Sequence, residues 1–361
     1  MQTLTPDVLA ELKGRTGLIT LNRPRALNAL TLPMLRALHA ILDAWRDDPQ
    51  VLAVAIRGMG KEGPFGAFCA GGDIRYFHQA AHEGSPELER YFDQEYSLDF
   101  KIHGYPKPYI AFMDGVVMGG GMGISQGARW RLVTPDSRLA MPETLIGLFP
   151  DVAGGYFLSR CSGRAGEYLG LTGESVLGRD AIALGLADAW VSADQLTAIW
   201  EGLSAPFENT AALELWLARQ VSREPSPLPE WTEPAARFFD RPDVPAILAA
   251  LEQDDSTWAR TTAAVLRQRS PLMLHVVLEQ IRRARHMSLA DELRMERVMM
   301  HRAFAAGANS EAVEGIRALA IDKDRAPRWQ HVRAEDVPET AVQAFFSSPW
   351  SLEDHPLRRL G

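Results

Sequence analysis

The clearest periodicity in the chain follows Thr31, where Met34, Leu35, Leu38, Ile41, Leu42 and Trp45 recur at helical spacing. Thr31 supplies a cap oxygen, Pro33 falls in the first turn, and the Asp-Asp-Pro run at 47–49 ends the pattern. On either side the period shortens. Residues 16–22 predict a short strand running into the turn sequence NRPR, and residues 51–58 predict a buried strand. Residues 74–100 are mainly helical in pattern, 108–115 predict a strand, and the small-residue run 116–128 predicts a turn that feeds a helix. Residues 129–141 read as two short strands joined by the turn TPDS. Helices are expected around 156–161, 164–171 and from 179, with a strand at 187–191.

Strands alternating with helices to about residue 195 define an α/β class. From residue 192 onward the strand signals stop. Residues 247–251, 258–268, 272–285 and 289–306 carry helical patterns instead, the last capped by Ser288 with Asp291 at the capping-box position. The expected organisation is a core over residues 1–200 and a mostly helical region over 201–361, with a Pro-rich insertion near 223–245. No internal repeat or low-complexity tract stands out.

Composition narrows the function classes. With 361 residues, 46% hydrophobic and 23% charged, the chain has material for a sizeable core. A formal charge of −8 argues against nucleic acid as the main partner. Cys69 and Cys161 are the only cysteines, which excludes a disulfide framework and fits a reducing compartment. No apolar run reaches the roughly 18 residues of a membrane span. The N-terminal stretch has neither a basic n-region nor an apolar h-region, so a cytoplasmic location is expected, with no membrane partner.

The candidate chemistry lies in three glycine clusters and the acids near them. CAGGD (69–73), MGGGMG (118–123) and DVAGG (151–155) let backbone approach a ligand and expose N–H groups, and two such groups from separate loops can form an oxyanion hole. None fits a dinucleotide fingerprint or a P-loop. In AMPETLIGLFPDVAGG, Glu143 and Asp151 stand in an apolar segment, where an unpaired carboxylate is costly and therefore needs a partner or a task. Simpler roles compete: a first-turn acid after Pro142 for Glu143, an N-cap for Asp151, a solvated helix position beside Asp93 for Glu95. No His, Cys, Asp and Glu cluster has metal-ligand spacing, so neither a metal nor a cofactor is expected.

In their order, LNRPRALNAL, AFCAGGDI, KPYIAFMDGVVMGGGMG, MPETLIGLFPDVAGG and LTGESVLGRDAIALGLAD resemble the crotonase (enoyl-CoA hydratase/isomerase) superfamily. Within it, PETLIGLFPDVAGGYFL and EGIRALAIDKDRAPRW are most similar to the 3-hydroxyisobutyryl-CoA hydrolase family. The resemblance implies an α/β spiral of ββα turns followed by helices, an acyl-CoA substrate, a step of valine breakdown, and leaves open assembly into a homo-oligomer. It places the oxyanion-hole donors on the N–H groups of Gly72 and Gly120, and adenine-binding backbone on Ala70, Gly72 and Ile74. Arg25, Ala26 and Leu27 fall beside the CoA moiety. Glu143 becomes the catalytic carboxylate, Asp151 the contact to a substrate hydroxyl, and Glu95 a further active-site acid.

One departure bears on the reaction. Hydratases of the superfamily carry a glutamate just after the triple glycine, and here that position is Gly123. Hydration benefits from two acid/base groups, whereas thioester hydrolysis needs an oxyanion hole and one carboxylate. The resemblance therefore implies a thioester hydrolase, with an enoyl-CoA hydratase or isomerase and a non-catalytic acyl-CoA-binding protein as alternatives. Cys69, His78, His39 and His103 are expected to be structural. The basic runs RQRS and EQIRRARH are candidates for CoA phosphates or, more simply, solvated helix faces.

Overall fold

A computed structural model describes residues 5–361. Among the described residues ten strands run in chain order as β1 (Val8–Lys13), β2 (Thr16–Leu21), β3 (Ala53–Gly58), β4 (Ala67–Cys69), β5 (Tyr109–Met113), β6 (Val116–Met118), β7 (Trp130–Val133), β8 (Arg138–Ala140), β9 (Val176–Leu177) and β10 (Ala189–Trp190). Between them lie α1 (Leu32–Arg46), α2 (Ile74–Glu83), α3 (Glu87–His103), α4 (Gly120–Gln126), α5 (Gly154–Leu158), α6 (Ala165–Thr172) and α7 (Gly178–Ala183). Beyond β10 every regular element is helical: α8 (Leu196–Gly202), α9 (Thr210–Gln220), α10 (Thr232–Phe239), α11 (Val244–Glu252), α12 (Thr257–Leu266), α13 (Pro271–Ala284), α14 (Leu289–Phe304), α15 (Glu311–Ile316) and α16 (Glu339–Ala344), with a π turn at Arg317–Ile321.

The chain divides into two compact units. One comprises Met1–Gly72, Ser97–Leu139 and Val176–Leu228; the other comprises Asp73–Tyr96, Ala140–Ser175 and Pro229–Gly361. A boundary near residue 200 does not coincide with this division. Segments 73–96 and 140–175 leave the first unit to pack with the C-terminal helices, an excursion that chain order does not reveal.

The first unit holds a six-stranded sheet in the order β1-β2-β3-β5-β7-β10, parallel except for β1 against β2. Leu18, Ala55, Ile110, Phe112 and Leu132 bury against Ile199, Trp200, Leu213 and Leu217 of α8 and α9. Each fully buried aliphatic side chain contributes about 1.5–3 kcal/mol, so this layer anchors the unit. At Gly17 a Cβ would lie 2.4 Å from the Trp45 ring, so α1 closes onto β2 only because that strand position is glycine. A second sheet has the order β4-β6-β8-β9. The segment at 129–141 was expected to give two strands joined by a turn, and it does. They are no hairpin, however: β7 and β8 enter different sheets, the turn between them fixed by Ser137 Oγ accepting from the Thr134 N–H at 2.7 Å.

In the second unit α13 is the central helix, with Met273, Leu274, Val276, Val277 and Ile281 buried. Gly170 lets α6 approach it, since a Cβ there would lie 2.7 Å from Ile281 Cδ1. The expected Pro-rich insertion near 223–245 is only partly irregular. From Thr232 it becomes α10, whose Phe238 and Phe239 are buried, and Tyr168 packs its ring against Trp231, Phe239 and Trp258. Aromatic burial overrides the Pro signal here. β1 was not expected; as an edge strand with only Val8 buried, it carries no alternation to read. No helix among the described residues is long and apolar enough to cross a membrane.

Candidate active site

In the first unit two glycine loops leave the sheet side by side. β4 and β6 are parallel neighbours, so the segments after Cys69 and Met118 emerge at the same edge. Gly71 has φ +100°, and a Cβ on it would lie 3.2 Å from the Met118 carbonyl and 3.5 Å from the Gly120 nitrogen. Gly121 is tighter still, with a Cβ 2.3 Å from the Cys69 carbonyl oxygen. Side chains at either position would force the loops apart. Gly72 bridges to Leu30, whose N–H donates to the Gly71 carbonyl at 2.8 Å. Gly120 opens α4, where the first N–H groups have no partner inside their own helix.

The loop at 23–30 is built against the same edge. Leu27 and Asn28 are left-handed at φ 49° and 57°, and the Ala70 N–H donates to the Leu27 carbonyl at 2.9 Å. The Asn28 amide donates to the Met59 and Ala67 carbonyls. Arg25 and Leu27 are exposed and Ala26 and Ala70 half-buried, so the residues expected to meet CoA are open to solvent. Ile74 opens α2, which Asp73 caps by accepting from the Tyr76 N–H at 3.4 Å.

The second unit gathers the acids. Glu143 begins a 3-10 turn, Glu143–Ile146, held by Thr144 Oγ1 donating to the Leu171 carbonyl at 3.1 Å and the Ser270 N–H donating to the Thr144 carbonyl at 3.2 Å. Its carboxylate is buried, and Oε2 has no hydrogen-bond partner among the described residues. Burial, and then the charge of Asp151 and that of Glu95, hold its pKa well above the ordinary carboxylate range. Asp151 is also buried and accepts the Tyr96 hydroxyl at 2.8 Å; burial pushes its pKa up to about 7. Glu95 is 3% exposed, accepts the Tyr91 hydroxyl at 3.0 Å, and is raised by burial and by Asp151. The three acids thus form one electrostatically connected group.

The simpler roles fare differently. Glu95 is not a solvated helix position. Asp151 is not an N-cap: α5 starts at Gly154 after Ala153, with no side chain of its own loop capping it. The cap comes instead from α14, where Glu296 accepts the Ala153 N–H at 2.8 Å and the Gly155 N–H at 3.1 Å. Val152 and Ala153 are both left-handed, at φ 55° and 68°. That conformation costs about 1–2 kcal/mol per non-glycine residue, so the Asp151 loop is held against its own preference. Glu292 lies one turn before Glu296; burial raises both, and the charge of Glu292 raises Glu296 further.

Sequence reasoning missed Tyr96, Gln280, Glu292 and Glu296. The two glutamates carried a signal: together with Met299, Met300 and Ala303 they occupy the buried stripe of α14, where acids are out of place. Cys69 is structural, its thiol buried and directed to the Asn28 carbonyl at 3.2 Å. The basic runs are used internally. Arg267 pairs with Glu252 and Glu335, Arg269 donates to the Thr172 carbonyl, and Arg285 meets Glu167. Among the described residues no group of three or more His, Cys, Asp or Glu is placed to hold a metal ion.

The family profile described as enoyl-CoA hydratase/isomerase matches residues 16–346. A Bos taurus protein named 3-hydroxyisobutyryl-CoA hydrolase, mitochondrial, is 39% identical over 349 residues, 95% of this chain and 89% of the relative. Among solved structures, a carnitinyl-CoA dehydratase from Mycobacterium thermoresistibile is 37% identical with a TM-score of 0.86, covering 95% of this chain and 97% of that one. An enoyl-CoA hydratase from Rhodobacter sphaeroides 2.4.1 is 34% identical with a TM-score of 0.83, at 95% and 98% coverage. The expected fold class is met. The curated relatives, the Homo sapiens protein at 37% identity over 349 residues among them, carry the hydrolase name and bear out the expected hydrolase, while the two solved structures carry dehydratase and hydratase names.

Proposed function

The chain belongs to the enoyl-CoA hydratase/isomerase, or crotonase, family, and from that premise we propose that it is an acyl-CoA thioester hydrolase converting 3-hydroxyisobutyryl-CoA and water to 3-hydroxyisobutyrate and free coenzyme A. The observation that carries this reading is one buried carboxylate at Glu143 with no second acid after the triple glycine. Glu143 is buried with an orphan oxygen, while the position after the triple glycine, Gly123, lies inside α4 and bears no side chain. A hydratase lacking its second acid loses the group that handles the other proton. A thioesterase does not need it.

The N–H groups of Gly72 and Gly120 stabilise the oxygen of the thioester as it becomes an oxyanion, an effect worth about 100- to 1000-fold in rate per donor. Glu143 either takes a proton from the attacking water or attacks the carbonyl itself to form a mixed anhydride that water then opens. Either way the C–S bond breaks, a C–O bond forms, and the departing CoA thiolate takes up a proton. Burial, which raises the pKa of Glu143 well above the ordinary carboxylate range, favours its taking up a proton. Asp151 accepts the 3-hydroxyl of the acyl group, with Glu95 beside it, and the pair rejects acyl chains that lack the hydroxyl. Arg25, Ala26, Leu27, Ala70, Gly72 and Ile74 receive the CoA portion.

Two assays on one preparation separate the readings. With 3-hydroxyisobutyryl-CoA, free thiol is expected at catalytic rates; with crotonyl-CoA, the absorbance of the conjugated double bond is expected to persist. Loss of that absorbance without thiol release assigns a hydratase. Thermal stabilisation by CoA esters with no product from any of them assigns a binding protein.

A further inference from the structure

The residues flanking Asp151 are tied down by side chains with no part in the chemistry above. The Pro150 carbonyl, immediately before Asp151, accepts Gln280 Nε2 at 2.6 Å. The N–H groups of Ala153 and Gly155, just after it, donate to opposite oxygens of Glu296. Gln280 Nε2 also donates to Glu296 Oε1 at 3.0 Å, so α13 and α14 present one connected clamp. Glu292 fills the space beside it so closely that a Cβ on Gly155 would lie 2.4 Å from Glu292 Oε1. Glu296 and Gln280 are fully buried. Between the clamped points stand the left-handed Val152 and Ala153, a backbone turn that an untethered loop would relax.

We propose that Glu296, with Gln280, is a specificity-determining positioning residue: it holds the 150–155 loop in the strained turn that aims the Asp151 carboxylate at the substrate hydroxyl. The role rests on the reading of Asp151 as the hydroxyl acceptor. Asp151 Oδ2 accepts the Tyr96 hydroxyl, and on this proposal the substrate hydroxyl is assigned to Oδ1. Loosening the loop therefore weakens recognition of the hydroxyl more than it weakens thioester cleavage itself.

The test is the ratio of kcat/KM for 3-hydroxyisobutyryl-CoA to that for isobutyryl-CoA, read by thiol release from the full-length protein. Glu296→Gln keeps the shape and removes one of the two acceptor oxygens; Gln280→Met breaks the clamp from the other helix, and serves should the first variant fail to fold. Each is expected to lower the ratio at least tenfold, and in an Asp151→Asn background neither lowers it more than twofold further. Equal losses on both substrates, or an unchanged ratio where Asp151→Asn alone lowers it, overturn the clamp while leaving Asp151 its role. An unchanged ratio in Asp151→Asn removes the role of Asp151 and the clamp with it.

Discussion

Gly121→Ala is the sharpest probe of the glycine loops. Its Cβ would lie 2.3 Å from the Cys69 carbonyl oxygen, 3.0 Å from the Cys69 carbonyl carbon and 3.0 Å from Cys69 Cβ. The first contact is with backbone, which cannot swing aside as a side-chain tip does. To reach ordinary contact the β4 and β6 loops must part by roughly 1 Å. Overpacking of this kind costs about 1–3 kcal/mol of stability, a few degrees in Tm. Displacing a positioned group by about 1 Å lowers the rate about 100-fold, or about 2.7 kcal/mol in the barrier. Thiol release from 3-hydroxyisobutyryl-CoA is therefore expected to show kcat down about 100-fold. Gly63→Ala, where nothing lies within 4 Å of the added Cβ, serves as control and is expected to match the parent protein. A folded Gly121→Ala with unchanged kcat would refute the argument that the spacing of these loops sets the rate.

Three further outcomes follow from the acids and their partners. Because burial raises the folded pKa of Asp151 to about 7, the folded state binds more protons than the unfolded state between about pH 4 and 7, so stability falls as pH rises through that window. At about 1.4 kcal/mol per pH unit this amounts to on the order of 4 kcal/mol, and Asp151→Asn is expected to gain in Tm over the parent increasingly from pH 4 to pH 8. Tyr96→Phe removes the hydroxyl that favours the Asp151 carboxylate, so the acidic limb of the pH profile of kcat/KM for the hydroxylated substrate moves upward; an unmoved limb means that Asp151 is not the group titrating there. Arg297 is 1% exposed and pairs with Glu89 and with Asp93 at 2.6 Å. Arg297→Met leaves those half-exposed acids unpaired but partly solvated, and is expected to cost about 1.5–3 kcal/mol in denaturant unfolding, measured against the parent midpoint.

Much of the candidate site was legible in the sequence because it is written in residue types that are out of place. Glycines followed strands, acids stood in an apolar segment, and the structure puts Gly72 and Gly120 at the ends of neighbouring parallel strands and joins Glu95, Glu143 and Asp151 in one buried group. Regular helices such as α1 were readable from their periodicity and caps. What could not be read depends on contacts between distant segments. β7 and β8 are adjacent in sequence yet enter different sheets, and the 73–96 and 140–175 excursions pack with helices more than a hundred residues later. The acids of α14 escaped notice because a helix pattern is scored on its apolar positions, and Glu292 and Glu296 sit among them. The cap of α5 is the clearest case: local sequence nominated Asp151, and the oxygen came from residue 296.

The account stands most directly on thiol release by Glu143→Ala. With 3-hydroxyisobutyryl-CoA as substrate, single-turnover thiol release is predicted to fall at least 1000-fold, while affinity for free CoA stays within threefold of the parent. Release within tenfold of the parent rate would show that another group drives the attack, and would contradict the assignment of Glu143 as the carboxylate that cleaves the thioester.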